Sequence, residues 1–390
     1  MNTRAQRSPL RIQRAILNNW RNFVYADVAL GQRMFFIGPN AAGKSNFLDV
    51  LRFLQDIVVI GGGLEEAIRK RGGVSDLRCL AARRFPNVGI TIELATDDLE
   101  VCWRYELEFG EEKSRKAARP LVQKERVEKN GRVMLSRPDS ADERDPERLT
   151  QTYLEQVQAN QQFREIAEFL RTVHYLHIVP QLVREPDRLA GRANDPYGGD
   201  FLERVASTPD RTRSARLQRI GDALRVAVPQ LKELELVRDL KGVPHLRGKY
   251  EHWRPQGKWQ TERDFSDGTL RLLGLLWAIL DGGGPLLLEE PELSLHAEVV
   301  RFIPQMFERA QRKSGRQVFV STHSAQLLLD EGIGLEEVLL LRPSAEGTTV
   351  SLASSDPEIR ALVEGGVSVG EAVIPWTGPE RVERLSLFAS

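Results

Sequence analysis

The sequence predicts an α/β protein with a mostly parallel core, an N-terminal antiparallel β subdomain and a mixed helical and β insertion. Three observations carry that prediction. The apolar run Met34-Phe35-Phe36-Ile37 leads through Gly38-Pro39-Asn40-Ala41-Ala42-Gly43-Lys44-Ser45 into an apolar helical pattern, the strand, loop and helix of a phosphate-binding loop. Beyond residue 265, buried strands alternate with helices, which is the pattern of parallel pairing. No heptad pattern persists through the middle, so no long coiled coil is expected. The chain divides accordingly into an N-terminal lobe (1–110), an insertion (111–261) and a C-terminal lobe (262–390).

The elements follow in order. Leu10 to Leu17 and Phe23 to Leu30 read as strands around a turn at Asn18-Asn19. Phe47, Leu48, Leu51, Phe53, Leu54, Ile57 and Val58 recur at helical spacing and suit a helix laid on a sheet. Two β-like runs, Gly89 to Leu94 and Val101 to Leu107, flank a turn at Asp97-Asp98. Residues 111–150 turn polar and charged, with Glu111-Glu112-Lys113-Ser114-Arg115-Lys116 at their head, and read as an edge hairpin and a mobile loop. Residues 150–172 and 200–228 read as helical, and 229–264 as short strands turning at Lys241-Gly242 and Pro255-Gln256-Gly257. Leu270 to Leu280 is a buried helix, Pro285 to Glu289 a buried strand, Glu298 to Arg312 a helix, and Val318 to Ser321 and Val338 to Arg342 the last strands.

Composition sets the class. The chain has 390 residues, 41% hydrophobic and 28% charged, which suits a globular protein with a large core. There is no membrane-length apolar run and no signal-peptide pattern after Met1-Asn2-Thr3-Arg4, and Cys79 and Cys102 cannot form a disulfide framework. A cytoplasmic protein without a membrane partner is expected. Lys and Arg balance Asp and Glu at 55 each, so no net field draws in nucleic acid. Arg4, Arg7, Arg11, Arg14 and Arg21 cluster near the start, and Arg204, Arg211, Arg213, Arg216 and Arg219 farther on. Such clusters can meet phosphates, which keeps nucleic acid open as a partner. The plainer reading is solvated helix faces with local acidic partners.

The chemistry lies in four segments. Gly38 and Gly43 let the loop curl so that its N–H groups and the helix N-terminus face a β-phosphate. Lys44 reaches the β- and γ-phosphates and the Ser45 hydroxyl ligates Mg²⁺, so Gly38, Pro39, Asn40, Ala41, Ala42, Gly43, Lys44, Ser45 and Asn46 form the ATP-binding set. The strand Leu286-Leu287-Leu288-Glu289-Glu290 carries two carboxylates to its tip beside the phosphate-loop strand. Glu289 is placed for the magnesium shell and Glu290 to polarise water. His323 ends the strand Val318 to Ser321 and is placed to sense the γ-phosphate. Ser266 caps the helix after Phe265, within Ser266-Asp267-Gly268-Thr269. His174 and His177 lack further metal ligands and read as core. Trp253 and Trp259 can stack on bases, with packing in the insertion the plainer reading.

Taken together, these segments resemble the ABC-type ATPases, in the soluble branch of RecF, the structural-maintenance-of-chromosomes heads and the overcoming-lysogenization-defect (OLD) ATPases. Asn18-Asn19-Trp20-Arg21-Asn22-Phe23 looks like that branch's N-terminal strand turn. Ser266 to Arg271 with Glu289-Glu290-Pro291-Glu292-Leu293-Ser294-Leu295-His296 most resembles the predicted AAA-family ATPases nearest the OLD group. The resemblance implies an ABC-ATPase head using ATP and Mg²⁺ as a homodimer or higher homo-oligomer. Glu290, His323 and Lys44 would be catalytic, and Ser45 and Glu289 metal ligands. Ser266, Asp267, Gly268 and Thr269 would be a signature acting in trans, with Ser294 and His296 in a loop crossing the dimer interface. Three departures stand out. Glu289 replaces the commoner aspartate, Asp267 replaces a glycine of the transporter signature, and no glutamine lies between Gln55 and Gln123 to serve as the usual Q-loop ligand. Fewer than seventy residues follow His323, and Asp356 and Glu364 are isolated, so no nuclease domain is expected in cis. That points to a separately encoded effector, a nuclease or other toxin, in anti-phage defence. A RecF-like role in DNA repair or recombination is the alternative.

Overall fold

The computed structural model describes residues 10–83, 86–96, 100–112, 119–185, 195–251 and 258–378. Arg4 and Arg7, the turn at Asp97-Asp98, the Ser114-Arg115-Lys116 run, Trp253 and the Pro255-Gln256-Gly257 turn lie outside them.

In the first half of the chain the strands are β1 (Arg11–Trp20), β2 (Phe23–Ala29), β3 (Arg33–Ile37), β4 (Val88–Ala95), β5 (Val101–Glu111), β6 (Pro120–Lys129), β7 (Arg132–Arg137) and β8 (His174–Leu176). The second half adds β9 (Leu231–Arg238), β10 (Pro244–Tyr250), β11 (Lys258–Thr261), β12 (Leu286–Glu289), β13 (Val318–Thr322), β14 (Val338–Ser344) and β15 (Gly347–Leu352). They form three sheets. The central one runs β15-β14-β3-β13-β12-β8 and is parallel except for β15. An antiparallel sheet runs β2-β1-β4-β5-β6-β7, and a small one runs β11-β10-β9. Strands β6 and β7 thus extend the N-terminal sheet, while β8 joins the central one.

Burial explains the layers. Every residue of β3 and β13 is buried, as expected for parallel strands covered on both faces. Their side chains alternate between two cores. Phe36, Leu287, Phe319, Leu339 and Leu341 pack with the N-terminal sheet and with helix α1 (Lys44–Val58). Phe35, Ile37, Leu288, Val320 and Leu340 pack on the other side with α2 (Asp210–Ala227), α3 (Asp267–Leu280) and α4 (Ile303–Ser314). Among the described residues the longest helix is α2, at 18 residues, so the protein has no long coiled coil there.

Several boundaries differ from expectation. The first turn falls at Arg21-Asn22, not at Asn18-Asn19. The Asn19 side chain is tied on both ends, to the Cys79 N–H at 2.8 Å and the Asn87 carbonyl at 2.8 Å, and Trp20 is wholly buried, so β1 runs on. Residues 298–312 are not one helix but Ala297–Val300 followed by α4, because Pro304 has no N–H to continue the first and suits the first turn of the second. Of 150–172 only Arg164–Arg171 is α-helical. The β6–β7 hairpin turns on Asn130-Gly131, both with positive φ (49° and 76°), the pair that matches strand twist. β15 and the helices Pro357–Glu364 and Val369–Val373 were not anticipated, since short amphipathic runs near an end carry little periodicity.

Candidate nucleotide site

Four strand tips meet at one end of the central sheet, where parallel sheets hold their ligands. β3 opens into the phosphate loop, β13 into His323, β12 into Glu290 and β8 into His177. The expected place of Glu289 and Glu290 directly beside the phosphate-loop strand is corrected here. β13 lies between β3 and β12, pairing Phe36 with Ser321 on one side and Ser321 with Glu289 on the other. The carboxylates reach the loop across that strand.

The loop is closed by its own chain. Lys44 is buried, and its Nζ donates to the Gly38 and Pro39 carbonyls at 2.8 and 3.0 Å. Burial pulls its pKa down, while Glu290, Glu292 and Glu289 oppose that shift. Ala41 and Gly43 take positive φ (64° and 96°) to make the curl. A side chain on Gly43 would fall 2.0 Å from the Asn22 amide, and one on Gly38 would fall 2.5 Å from the Leu341 carbonyl. Asn22 therefore clamps the loop. It donates to the Ala42 carbonyl at 2.9 Å and accepts from Asn46 at 2.9 Å, and Trp20 donates to the Asn46 carbonyl at 2.8 Å. Pro39, Asn40 and Ala42 complete the turn, with Ala42 fully buried.

Glu289 is bound through both oxygens, accepting from the Ser45 hydroxyl on one and the Tyr175 hydroxyl on the other. Burial raises its pKa, partly offset by Ser45. Ser45 and Glu289 are adjacent hard oxygen donors, a set that fits Mg²⁺. Glu290 takes φ 44°, a conformation a non-glycine residue rarely adopts, and its Oε1 lies 3.1 Å from His323 Nδ1. The two residues expected to polarise water and sense phosphate are thus in contact.

The Ser266-to-Thr269 segment has different company. Ser266 is exposed and caps α3 through the Thr269 N–H at 3.2 Å. Asp267 pairs with Arg184 at 2.6 Å. A side chain on Gly268 would fall 2.5 Å from the carbonyl of Ser294, which itself has φ 61°. None of these partners comes from the phosphate loop. His296 caps the helix that follows, through the Glu298 N–H.

Comparison with known proteins gives the chain a family and a fold. Residues 33–330 match the family described as "AAA domain, putative AbiEii toxin, Type IV TA system". The chain belongs to that family. Membership makes it an AAA-domain protein, and nucleotide binding is what such a family implies. Its fold is that of the SMC-head ABC-type ATPases. A structure of the SmcHead bound to the C-winged helix domain of ScpA superposes with TM-score 0.53 at 12% identity, covering 87% of this chain and 97% of that one. The Smc head with an extended coiled coil, from Pyrococcus furiosus, gives 0.51 at 12% identity over 91% and 100%. The Smc head with a coiled coil and joint, from Pyrococcus yayanosii, gives 0.50 at 12% over 92% and 100%. No curated protein matches the chain by sequence.

Within this family member, Tyr175, which no motif marked, stands at the site together with His177. Tyr175 and His177 occupy the β8 tip beside Glu289. His177 Nδ1 is 3.3 Å from the Glu289 carbonyl oxygen, and Arg52 lies over the Tyr175 ring at 5.2 Å. His177 is therefore corrected from a core residue to a site residue, and burial lowers its pKa. A cavity of about 450 Å³ lies between this tip and α1, lined by Arg21, Ser45, Asn46, Arg52, Tyr175 and Glu289 among others. Only pairing across the sheet reveals this, because β8 is three residues long and gives no motif. His174 does stay structural, half-buried and held by Arg204. Trp259 packs under Arg247, 4.4 Å from its ring. In the arginine stretch, Arg204 and Arg216 pair with Asp281, and Arg213 with Asp210. Asp356 caps its helix and pairs with Arg342. No described helix is long and apolar enough to cross a membrane.

Proposed function

We propose that this chain binds and hydrolyses ATP as a dimeric ABC-type head, and serves as the sensor or scaffold subunit controlling a separately encoded effector in anti-phage defence. The observation that carries the reading is the contact of Glu290 with His323 at the strand tips, next to a lysine already folded over its phosphate loop. Lys44 and the loop N–H groups bind the β- and γ-phosphates. Glu290 takes the proton of the attacking water. His323, with Nδ1 turned to Glu290, keeps Nε2 for the γ-phosphate. Ser45 and Glu289 would hold Mg²⁺, whose charge would neutralise the phosphates.

The site is completed by a second copy, whose Ser266 and Gly268 reach the γ-phosphate while Ser294 and His296 line the interface. The isolation of the signature from its own phosphate loop supports this. A protein partner accords with the Smc heads described as bound to ScpA domains. The toxin–antitoxin description of the family favours a toxic effector and thereby defence, in the cytoplasm. The local pairing of Arg204, Arg213 and Arg216 removes much of the basic surface that a RecF-like DNA role would use.

Mixing Lys44→Ala with Ser266→Arg chains tests the composite site. Each is dead alone, and a mixed dimer carries one intact site of two, so up to about half of the wild-type activity per dimer should return. Mixed dimers that form yet stay inactive place the whole site within one chain.

A further inference from the structure

Glu292 is the most buried of the acids at the strand tips, at 7% exposure. Its Oε1 accepts the hydroxyl of Thr322, a residue with no exposure at all, and its Oε2 is buried without a hydrogen-bond partner. A carboxylate left half-satisfied in the interior is unfavourable, and an apolar residue of the same volume would pack better. Packing therefore does not explain it.

The bonds around it do. Thr322 Oγ1 also accepts the Ser324 N–H at 2.9 Å, so the hydroxyl donates one way and accepts the other. Those two bonds fix the residues on either side of His323. Glu292 in turn belongs to the tight turn that begins at Glu290. Leu293 N–H donates to the Glu290 carbonyl at 3.2 Å, Leu295 N–H to the Glu292 carbonyl at 3.0 Å, and Glu290 N–H to the Ser321 carbonyl at 2.9 Å. The Glu290 turn and the His323 turn are thereby tied side by side. Glu290 holds φ 44°, which persists only where surrounding contacts over-determine it.

We propose that Glu292 and Thr322 form a buried staple that positions His323 against Glu290 for ATP turnover. Both are positioning residues, acting through groups that meet the nucleotide. The kinetic consequence rests on the ATPase reading, while the geometric one does not.

Thr322→Val keeps shape and removes the hydroxyl, and Thr322→Ser restores it. Thr322→Val should lower kcat at least tenfold with the ATP Kd little changed and the melting temperature lowered only by the lost buried hydrogen bonds. Thr322→Ser should recover most of the kcat loss. Glu292→Ala should match Thr322→Val, and the double variant should lose no more than either alone. Independently, ¹⁵N-histidine NMR of the nucleotide-free chain, with the His323 signal assigned through His323→Gln, should show the His323 ring nitrogens moving most among the six histidines in Thr322→Val. Wild-type turnover in Thr322→Val, additive losses in the double variant, or a loss shared equally by kcat, Kd and melting temperature overturns the staple. So does an unmoved His323 signal. A wild-type chain that turns over no ATP sinks the ATPase reading instead, and the NMR arm still decides this one.

Discussion

The phosphate loop and the signature segment are both glycine-bearing turns that open a helix, yet they are built differently. The first is sealed by its own chain. Lys44 bonds back to Gly38 and Pro39, Asn22 holds Ala42 and Asn46, and Ala42 is wholly buried. The second leaves Ser266 exposed, with its hydroxyl bonded to the Thr269 N–H and the Thr269 hydroxyl, and packs Gly268 on the Ser294 carbonyl. One turn is finished at the level of the monomer, and the other presents a surface. The difference teaches that motifs of similar appearance can be closed or left open, which under the proposed composite site suits one turn to act in cis and the other in trans.

Breaking the sealed turn should give the largest effect. Lys44→Ala removes the loop's fixed counter-charge, and ATP affinity should fall by at least about 100-fold, measured by calorimetry. Wild-type affinity in that variant would rule out the phosphate-loop assignment. Next, Glu290→Gln should leave ATP affinity near wild type and lower turnover by about 100-fold or more. With ATP, sizing chromatography should show it gathering as the larger species, and unchanged turnover would remove Glu290 from the role of base.

A paired glycine experiment sharpens the contrast. Gly43→Ala puts a side chain at φ 96° against Asn22 and should lower stability by about 1–3 kcal/mol along with ATP binding. Gly268→Ala, pressed on the Ser294 backbone, should keep ATP binding and lose ATP-induced dimerisation. If both lose binding alike, the two turns are not functionally distinct.

The smallest effect concerns His174, which opens β8 at the end away from the strand tips. Burial pushes His174 down to about 3, helped by Arg204, so it stays neutral in the folded chain. The unfolded chain binds that proton below about pH 6.5, so the His174 contribution is full above 6.5 and erodes as pH falls toward 3. Between pH 6.5 and 5 the loss should be about 2 kcal/mol in urea unfolding, and His174→Gln should flatten that slope. An equal slope in the variant would assign the pH dependence elsewhere.

Much of the site was legible beforehand because its chemistry is local. A strand, a curled loop and Lys44-Ser45 are consecutive, and Glu289-Glu290 and His323 each end a short apolar run of strand length. The helix from Lys44 to Val58 follows from its apolar spacing alone. Less legible were breaks set by side-chain bonds to distant partners, such as Asn19 holding β1 straight through Cys79 and Asn87.

By itself, then, the sequence determined the order of motifs, the mostly parallel core and the residue types offered to phosphate and metal, because backbone periodicity and loop curvature are set within a few residues. Tertiary structure alone decided that β13 separates β3 from β12, that Tyr175 and His177 stand at Glu289, and that Glu292 ties the Glu290 turn to the His323 turn. Those facts depend on which strands pair and on who shares a buried hydroxyl across thirty or more than a hundred residues, and no local pattern encodes such a distance.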